Sequence, residues 1–251
     1  MKYVLFALLA IAALFVLWLV IALLVWIILL LISFTVPMNK VYDKPSKFYY
    51  KLFNVGYWLI CKHGRVKYHT SGTEKIPYGK GRFLFVSNHR SKFDNMVHSL
   101  TMIKEPLAFI SKTANFKIPL GKHYMQRSCY ISVDQKSVKS GLNGVLRAIS
   151  LIKSGVTSIA VFPEGTRSKD ASLLEFKPGC FKIAEKTKCP IVVGVTQGTE
   201  RIHKNWPWKR TQVYFDIIDV IYPEQYEGKT TVELSDYIHN EMKDYLANNP
   251  K

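Results

Sequence analysis

The start of the chain has almost no charge, and the chain as a whole is short of acid. From Val4 to Val36 there are 33 residues without a charge, a glycine or a proline, and only Ser33 and Thr35 are polar. Asp and Glu together number 18 against 35 Lys and Arg, which sets the net charge at +17. Cysteine is scarce: Cys61, Cys129, Cys180 and Cys189, with no C-x-x-C spacing. Each shortage excludes something. Without a turn residue, the apolar run cannot be read as two short antiparallel helices. The cysteine count excludes a small disulfide scaffold and favours free thiols in a reducing compartment. A single apolar run excludes a multi-pass transporter, and a hydrophobic content of 48% excludes a disordered chain.

The apolar run is too long for a signal-peptide core of about 7–15 residues, and no small-residue cleavage site follows it. As one helix it would measure roughly 50 Å at ~1.5 Å per residue, more than the ~30 Å of a bilayer core requires. Residues 1–37 therefore read as a membrane-embedded helix. A tilted single span is the simplest form, and a half-embedded helix stays open. Lys2 stands alone on one side, whereas Lys40, Lys44, Lys47, Lys51, Lys62 and Arg65 follow on the other. That asymmetry expects the rest of the chain on the cytoplasmic side of the cell membrane. Lys2 is the only charge ahead of Pro37, so that remainder carries +16. Nucleic acid and an anionic bilayer both attract such a charge. Beside a membrane helix the phospholipid bilayer is the more economical partner, each cation contributing ~1 kcal/mol near an anionic leaflet. No nucleic acid is expected, and a non-catalytic basic tether is the remote alternative.

Residues 38–62 read as a polar joint, Met38–Ser46, followed by an amphipathic helix, Lys47–Lys62. That helix suits the headgroup layer or the domain core equally. Residues 63–251 then alternate in period. Strand-like runs fall at Arg65–His69, Arg82–Ser87, Leu107–Ile110, Cys129–Val133, Ser158–Phe162, Ile191–Val195 and Val213–Ile221. Helical patterns fall at Lys92–Ile103, Ser137–Lys153, Pro178–Lys186 and Val232–Leu246. Short β-rich strands separated by helices predict an α/β domain with a mixed, largely parallel sheet flanked by helices. Function in such folds gathers in loops just after the strands.

Two post-strand loops carry chemistry. In Val86-Ser87-Asn88-His89-Arg90-Ser91-Lys92-Phe93-Asp94, a histidine precedes an aspartate by five residues. If Asp94 opens a helix, its carboxylate can orient the His89 imidazole, making His89 a candidate general base toward a hydroxyl. A surface histidine near a helix start is the commoner meaning of that spacing alone, and His98 competes for Asp94. In Phe162-Pro163-Glu164-Gly165-Thr166-Arg167-Ser168, Gly165 permits a tight loop and Arg167 can fork onto a phosphate. Alone, this loop could equally be a turn with a surface Glu–Arg pair.

Together the two loops resemble the glycerolipid acyltransferase family, most nearly its bacterial 1-acyl-glycerol-3-phosphate members, over roughly residues 60–225. The resemblance implies a membrane enzyme of phospholipid biosynthesis that makes phosphatidic acid. His89 would deprotonate the free hydroxyl of lysophosphatidic acid, supported by Asp94. The oxygen would attack the thioester of acyl-CoA or acyl carrier protein. The resemblance also implies acceptor binding by Glu164, Gly165, Thr166 and Arg167. No cofactor and no metal are expected, because a thioester is already activated.

Two departures qualify the match. Where the family has an arginine that helps to bind the acceptor phosphate, this chain has Gln135. The missing charge must come from elsewhere, with Lys112, Arg127 and Lys136 the nearby candidates, or the acceptor differs: glycerol 3-phosphate or another lysophospholipid. The family's last block appears as Cys189-Pro190-Ile191-Val192-Val193-Gly194 without its second proline.

Overall fold

The computed structural model describes residues 2–251. Lys2–Ser33 forms one unbroken helix, α1, of 32 residues. Its most apolar stretch has a mean hydropathy of 3.3 and is 6% buried, so it is long and apolar enough to cross a membrane. Lys47–His63 forms α2, which runs back along it. The Thr35 and Tyr49 hydroxyls lie 2.6 Å apart at one end. Gly56 faces Trp26 and Leu29 in the middle, and the Trp18 and His63 rings meet at 5.1 Å at the other end. Half of α1, Trp18 to Ser33, is thus docked along α2. The part before Trp18 projects for about 24 Å at ~1.5 Å per residue. α2 buries Tyr50, Phe53, Asn54, Gly56, Tyr57 and Cys61 against the domain, and leaves Phe48, Val55 and Trp58 exposed. Its inner face therefore packs on the core.

All seven expected strands are present, as β1 (Val66–Ser71), β2 (Leu84–Ser87), β3 (Leu107–Lys112), β4 (Ile131–Val133), β5 (Ser158–Val161), β6 (Ile191–Gln197) and β7 (Thr211–Ile221). They form one sheet in the order β1-β7-β6-β2-β5-β3-β4. Among the described residues only the β6–β7 pairing is antiparallel, so β1 and β7 run against the other five. The strands at the centre, β2, β5 and β6, are buried on both faces, which is why they read as continuous apolar runs. Helices α3 (Asp94–Thr101), α4 (Gly121–Arg127), α5 (Val138–Lys153), α6 (Lys182–Thr187), α7 (Ile202–Asn205), α8 (Pro223–Tyr226) and α9 (Thr231–Asn248) complete the chain. α3 starts two residues later than its apolar pattern suggests, because the backbone N–H groups of Arg90 and Ser91 turn onto the Asp94 side chain. The pattern at Pro178 begins as a 3-10 turn, Pro178–Phe181, before α6. α4, α7 and α8 are too short to show a helical period.

The topology decides where the two loops go. β2 and β5 are parallel neighbours, with Val86 opposite Val161. The segments that leave them therefore emerge side by side at the carboxyl edge of the sheet.

Candidate active site

Asp94, the first residue of α3, is fully buried. Its Oδ2 accepts the His89 Nδ1–H and the backbone N–H groups of Arg90 and Ser91, each at 2.8 Å. Its Oδ1 accepts the hydroxyl of Thr199, from the loop after β6. Four donors from two segments hold this carboxylate in place. A carboxylate only accepts, so Nδ1 carries the proton and Nε2 of a neutral ring keeps its lone pair. The His89 ring lies flat on Phe162, centroids 4.0 Å apart and planes 14° apart. Such an imidazole can take a proton from a hydroxyl placed beside Nε2.

His98 is not the competitor that its spacing suggested. It is fully buried among Phe85, Phe109, Phe162 and Phe215. Its Nε2 meets the Thr196 hydroxyl at 2.7 Å. Burial pushes its pKa down to about 3 against the pull of Asp94, so the ring stays neutral.

The second loop divides into two kinds of residue. Glu164 is 3% exposed and turns inward. Its Oε1 accepts the backbone N–H of His89 at 2.6 Å, and its Oε2 accepts that of Leu174 at 3.1 Å. Burial raises its pKa to about 7, against the lowering effect of those two donors. The Ser168 N–H adds a further tie, to the His89 carbonyl at 2.9 Å. Gly165 and Arg167, in contrast, line a cavity of about 900 Å³ that also contains His89. Gly165 needs its positive φ of 69°, and a Cβ there would come within 2.9 Å of Lys177 Nζ. Thr166 is exposed and lies outside the cavity wall.

The cavity has two unlike kinds of lining. Trp26 and Leu29 of α1, with Leu52 and Phe53 of α2, supply apolar wall. Lys92, Lys112, Lys136, Arg167 and Lys177 supply cations. Among the described residues, none of these five has a carboxylate within ion-pair distance. Gln135 lines the same cavity and gives its side-chain N–H to the Gly165 carbonyl. Arg127 is elsewhere: its guanidinium lies over the rings of Tyr42 and Tyr49, at 4.1 and 5.4 Å.

Three residues escaped the sequence. Thr199 lies 105 positions from Asp94 and meets it only through the sheet order. Lys177 and Lys92 sit in an already basic chain, where no spacing separates them from other lysines. The arrangement as a whole, a carboxylate-backed imidazole between unpaired cations and an apolar wall, suits a molecule with an anionic head, a hydroxyl and a hydrocarbon chain.

The acyltransferase family profile matches residues 66–195, which contain both loops. A chloroplastic 1-acyl-sn-glycerol-3-phosphate acyltransferase of Brassica napus is 37% identical over 131 residues, 52% of this chain and 37% of that protein. The chain thus spans little more than a third of the length of the first curated relatives it matches. A 1-acyl-sn-glycerol-3-phosphate acyltransferase of Haemophilus influenzae is 28% identical over 66% of this chain and 69% of its own length. Among solved structures, the 1-acyl-sn-glycerophosphate acyltransferase PlsC of Thermotoga maritima superposes with a TM-score of 0.61 at 28% identity, covering 79% of this chain and 81% of that one. The chain belongs to the acyltransferase family.

Proposed function

We propose that the protein transfers an acyl chain from an acyl thioester to the free hydroxyl of 1-acyl-glycerol-3-phosphate, giving phosphatidic acid. The observation that carries this reading is the His89–Asp94 pair on a cavity with unpaired cations and an apolar wall. The relatives' names support the acceptor.

In this mechanism His89 Nε2 takes the hydroxyl proton as the acceptor oxygen attacks the thioester carbon. Asp94 holds the ring and stabilises the imidazolium that forms. Backbone amides of the site hold the oxyanion, at about 3–4 kcal/mol per donor in other acyl-transfer enzymes. The carbon–sulfur bond then breaks, and His89 returns the proton to the thiolate. No covalent enzyme intermediate and no cofactor enter, since the acceptor oxygen is the nucleophile and the thioester is already activated. Arg167 and Lys177, with Lys112 and Lys136, neutralise the acceptor phosphate in place of the family arginine, while Gln135 pins the Gly165 loop. Glu164 acts through the backbone of His89 rather than on the acceptor.

α1 holds the site at the membrane, and the basic remainder faces the cytoplasmic leaflet. Acyl-CoA and acyl carrier protein are both anionic, and the same cations suit either. Gln135 favours one second reading, the same chemistry on another acceptor. An activity matrix on purified membranes tests both, with lysophosphatidic acid, glycerol 3-phosphate and other lysophospholipids against each donor. Preference for lysophosphatidic acid is the expected result. Preference for another acceptor would overturn the substrate assignment and leave the reaction class standing.

A further inference from the structure

A second groove, of about 380 Å³, shares Trp26 and Ile60 with the catalytic cavity. Trp26, Ile60, His63, Phe93, Ile202 and Trp206 line it. It opens beside the docked half of α1, where Trp18 meets His63. The segment that follows, Trp206-Pro207-Trp208-Lys209-Arg210, leaves Trp206 57% and Trp208 85% exposed. Indole rings seldom stand so far into water without a partner.

This exposure is not looseness. Arg65 Nη1 donates to the carbonyls of Pro207 and Trp208 at 2.9 and 2.8 Å. The Lys209 N–H bonds the Asn205 carbonyl at 2.8 Å, and the Asn205 amide bonds the Thr211 hydroxyl at 3.0 Å. The tryptophans are held outward. Charge around them is of one sign: Lys204, Lys209 and Arg210 flank the pair, and no acidic residue occurs between positions 202 and 215. Among the described residues, none of the three cations has a carboxylate within ion-pair distance.

We propose that the loop Trp206–Arg210 is a second membrane contact, placing Trp206 and Trp208 in the headgroup layer of an anionic leaflet with Lys204, Lys209 and Arg210 on lipid phosphates. Indole at the interface and cations on anionic headgroups are the chemistry that recognises such a surface. Continuity with α1 selects a bilayer over a soluble partner, because Trp26 belongs both to the groove and to the apolar helix. The proposal rests on the membrane reading of α1. Two contacts fix the rotation of the domain about α1, where one helix would leave it free. Trp26 also lines the catalytic cavity, so this contact lies next to the cavity's apolar wall.

The test uses the full chain in vesicles of phosphatidylcholine and phosphatidylglycerol. Difference emission between wild type and Trp208→Phe isolates Trp208, and Trp18→Phe isolates Trp18 as the reference on α1. Lipids brominated near the headgroup should quench most of the Trp208 emission, while aqueous iodide should quench little of it. Lipids brominated near the headgroup should also quench Trp18, which stands where α1 leaves the domain beside His63. Replacing Lys204, Lys209 and Arg210 together by glutamate should restore iodide quenching of Trp208 and leave Trp18 unchanged. Iodide quenching of Trp208 in wild type, with Trp18 still quenched by lipid, would overturn the proposal alone. Shielding of Trp208 from both quenchers would also overturn it, and would mean that protein, such as a second copy, covers the loop. Failure of lipid to quench Trp18 would remove the membrane reading of α1, and the proposal with it.

Discussion

Thr199 donates its hydroxyl to Oδ1 of Asp94, from a loop 105 residues further along the chain. That bond brings a second strand end, after β6, to a pair that the chain otherwise builds from the β2 loop alone. A hydrogen bond to a charged group contributes about 1.5–3 kcal/mol. Thr199→Val should therefore lower kcat about tenfold or more and leave KM for the acceptor nearly unchanged, and Thr199→Ser should recover most of the loss. Steady-state kinetics of the three proteins check this. Wild-type kcat in Thr199→Val would mean that the backbone donors suffice to hold Asp94.

The bond also shows where the sequence stopped being legible. The sheet was readable because its central strands are continuous apolar runs, and the His89 and Glu164 loops because each follows such a run directly. Their partners were not. Thr199 is an ordinary threonine until the order β6-β2-β5 brings its loop beside Asp94. Glu164 was expected on the acceptor, and in the structure its carboxylate accepts the backbone N–H groups of His89 and Leu174. The spacing made His98 a rival to His89, and only its burial among four phenylalanines removes it. Arg127 was expected from its nearness in sequence to the Gln135 segment, and the rings of Tyr42 and Tyr49 claim it instead.

Glu164→Ala should lower kcat more than it raises KM for the acceptor. The carboxylate touches the backbone of His89 and Leu174, and losing an acceptor for buried N–H groups costs about 1–3 kcal/mol. Kinetics with varied acceptor separate the two effects. A rise in KM at constant kcat would put Glu164 on the acceptor.

Two buried groups give the fold opposing pH dependences. Glu164 has its pKa raised from 4.5 to about 7 by burial, so its contribution to stability is full below pH 4.5 and is lost as pH rises through about 7. Burial depresses His98 from 6.5 to about 3, so its contribution is present above pH 6.5 and is lost as pH falls toward 3. Urea unfolding across this range checks the signs. Glu164→Gln should leave a stability that rises more steeply with pH between 4.5 and 6.5 than in wild type, because only the histidine remains.

Gly194→Ala should destabilise the sheet beside the site. A Cβ at Gly194 would lie 2.7 Å from the Phe85 ring and 3.0 Å from the Phe215 ring, both buried. Overpacking of this kind costs about 1–3 kcal/mol. The urea midpoint should fall, with the slope unchanged.

The central claim is that the imidazole of His89 takes the acceptor's proton. Its most direct test is acyl transfer to lysophosphatidic acid by membranes carrying wild type or His89→Ala, at matched protein level. General-base catalysis contributes about 10²–10⁴-fold, so the variant should lose at least a hundredfold in rate. Equal turnover by the two proteins would contradict the account.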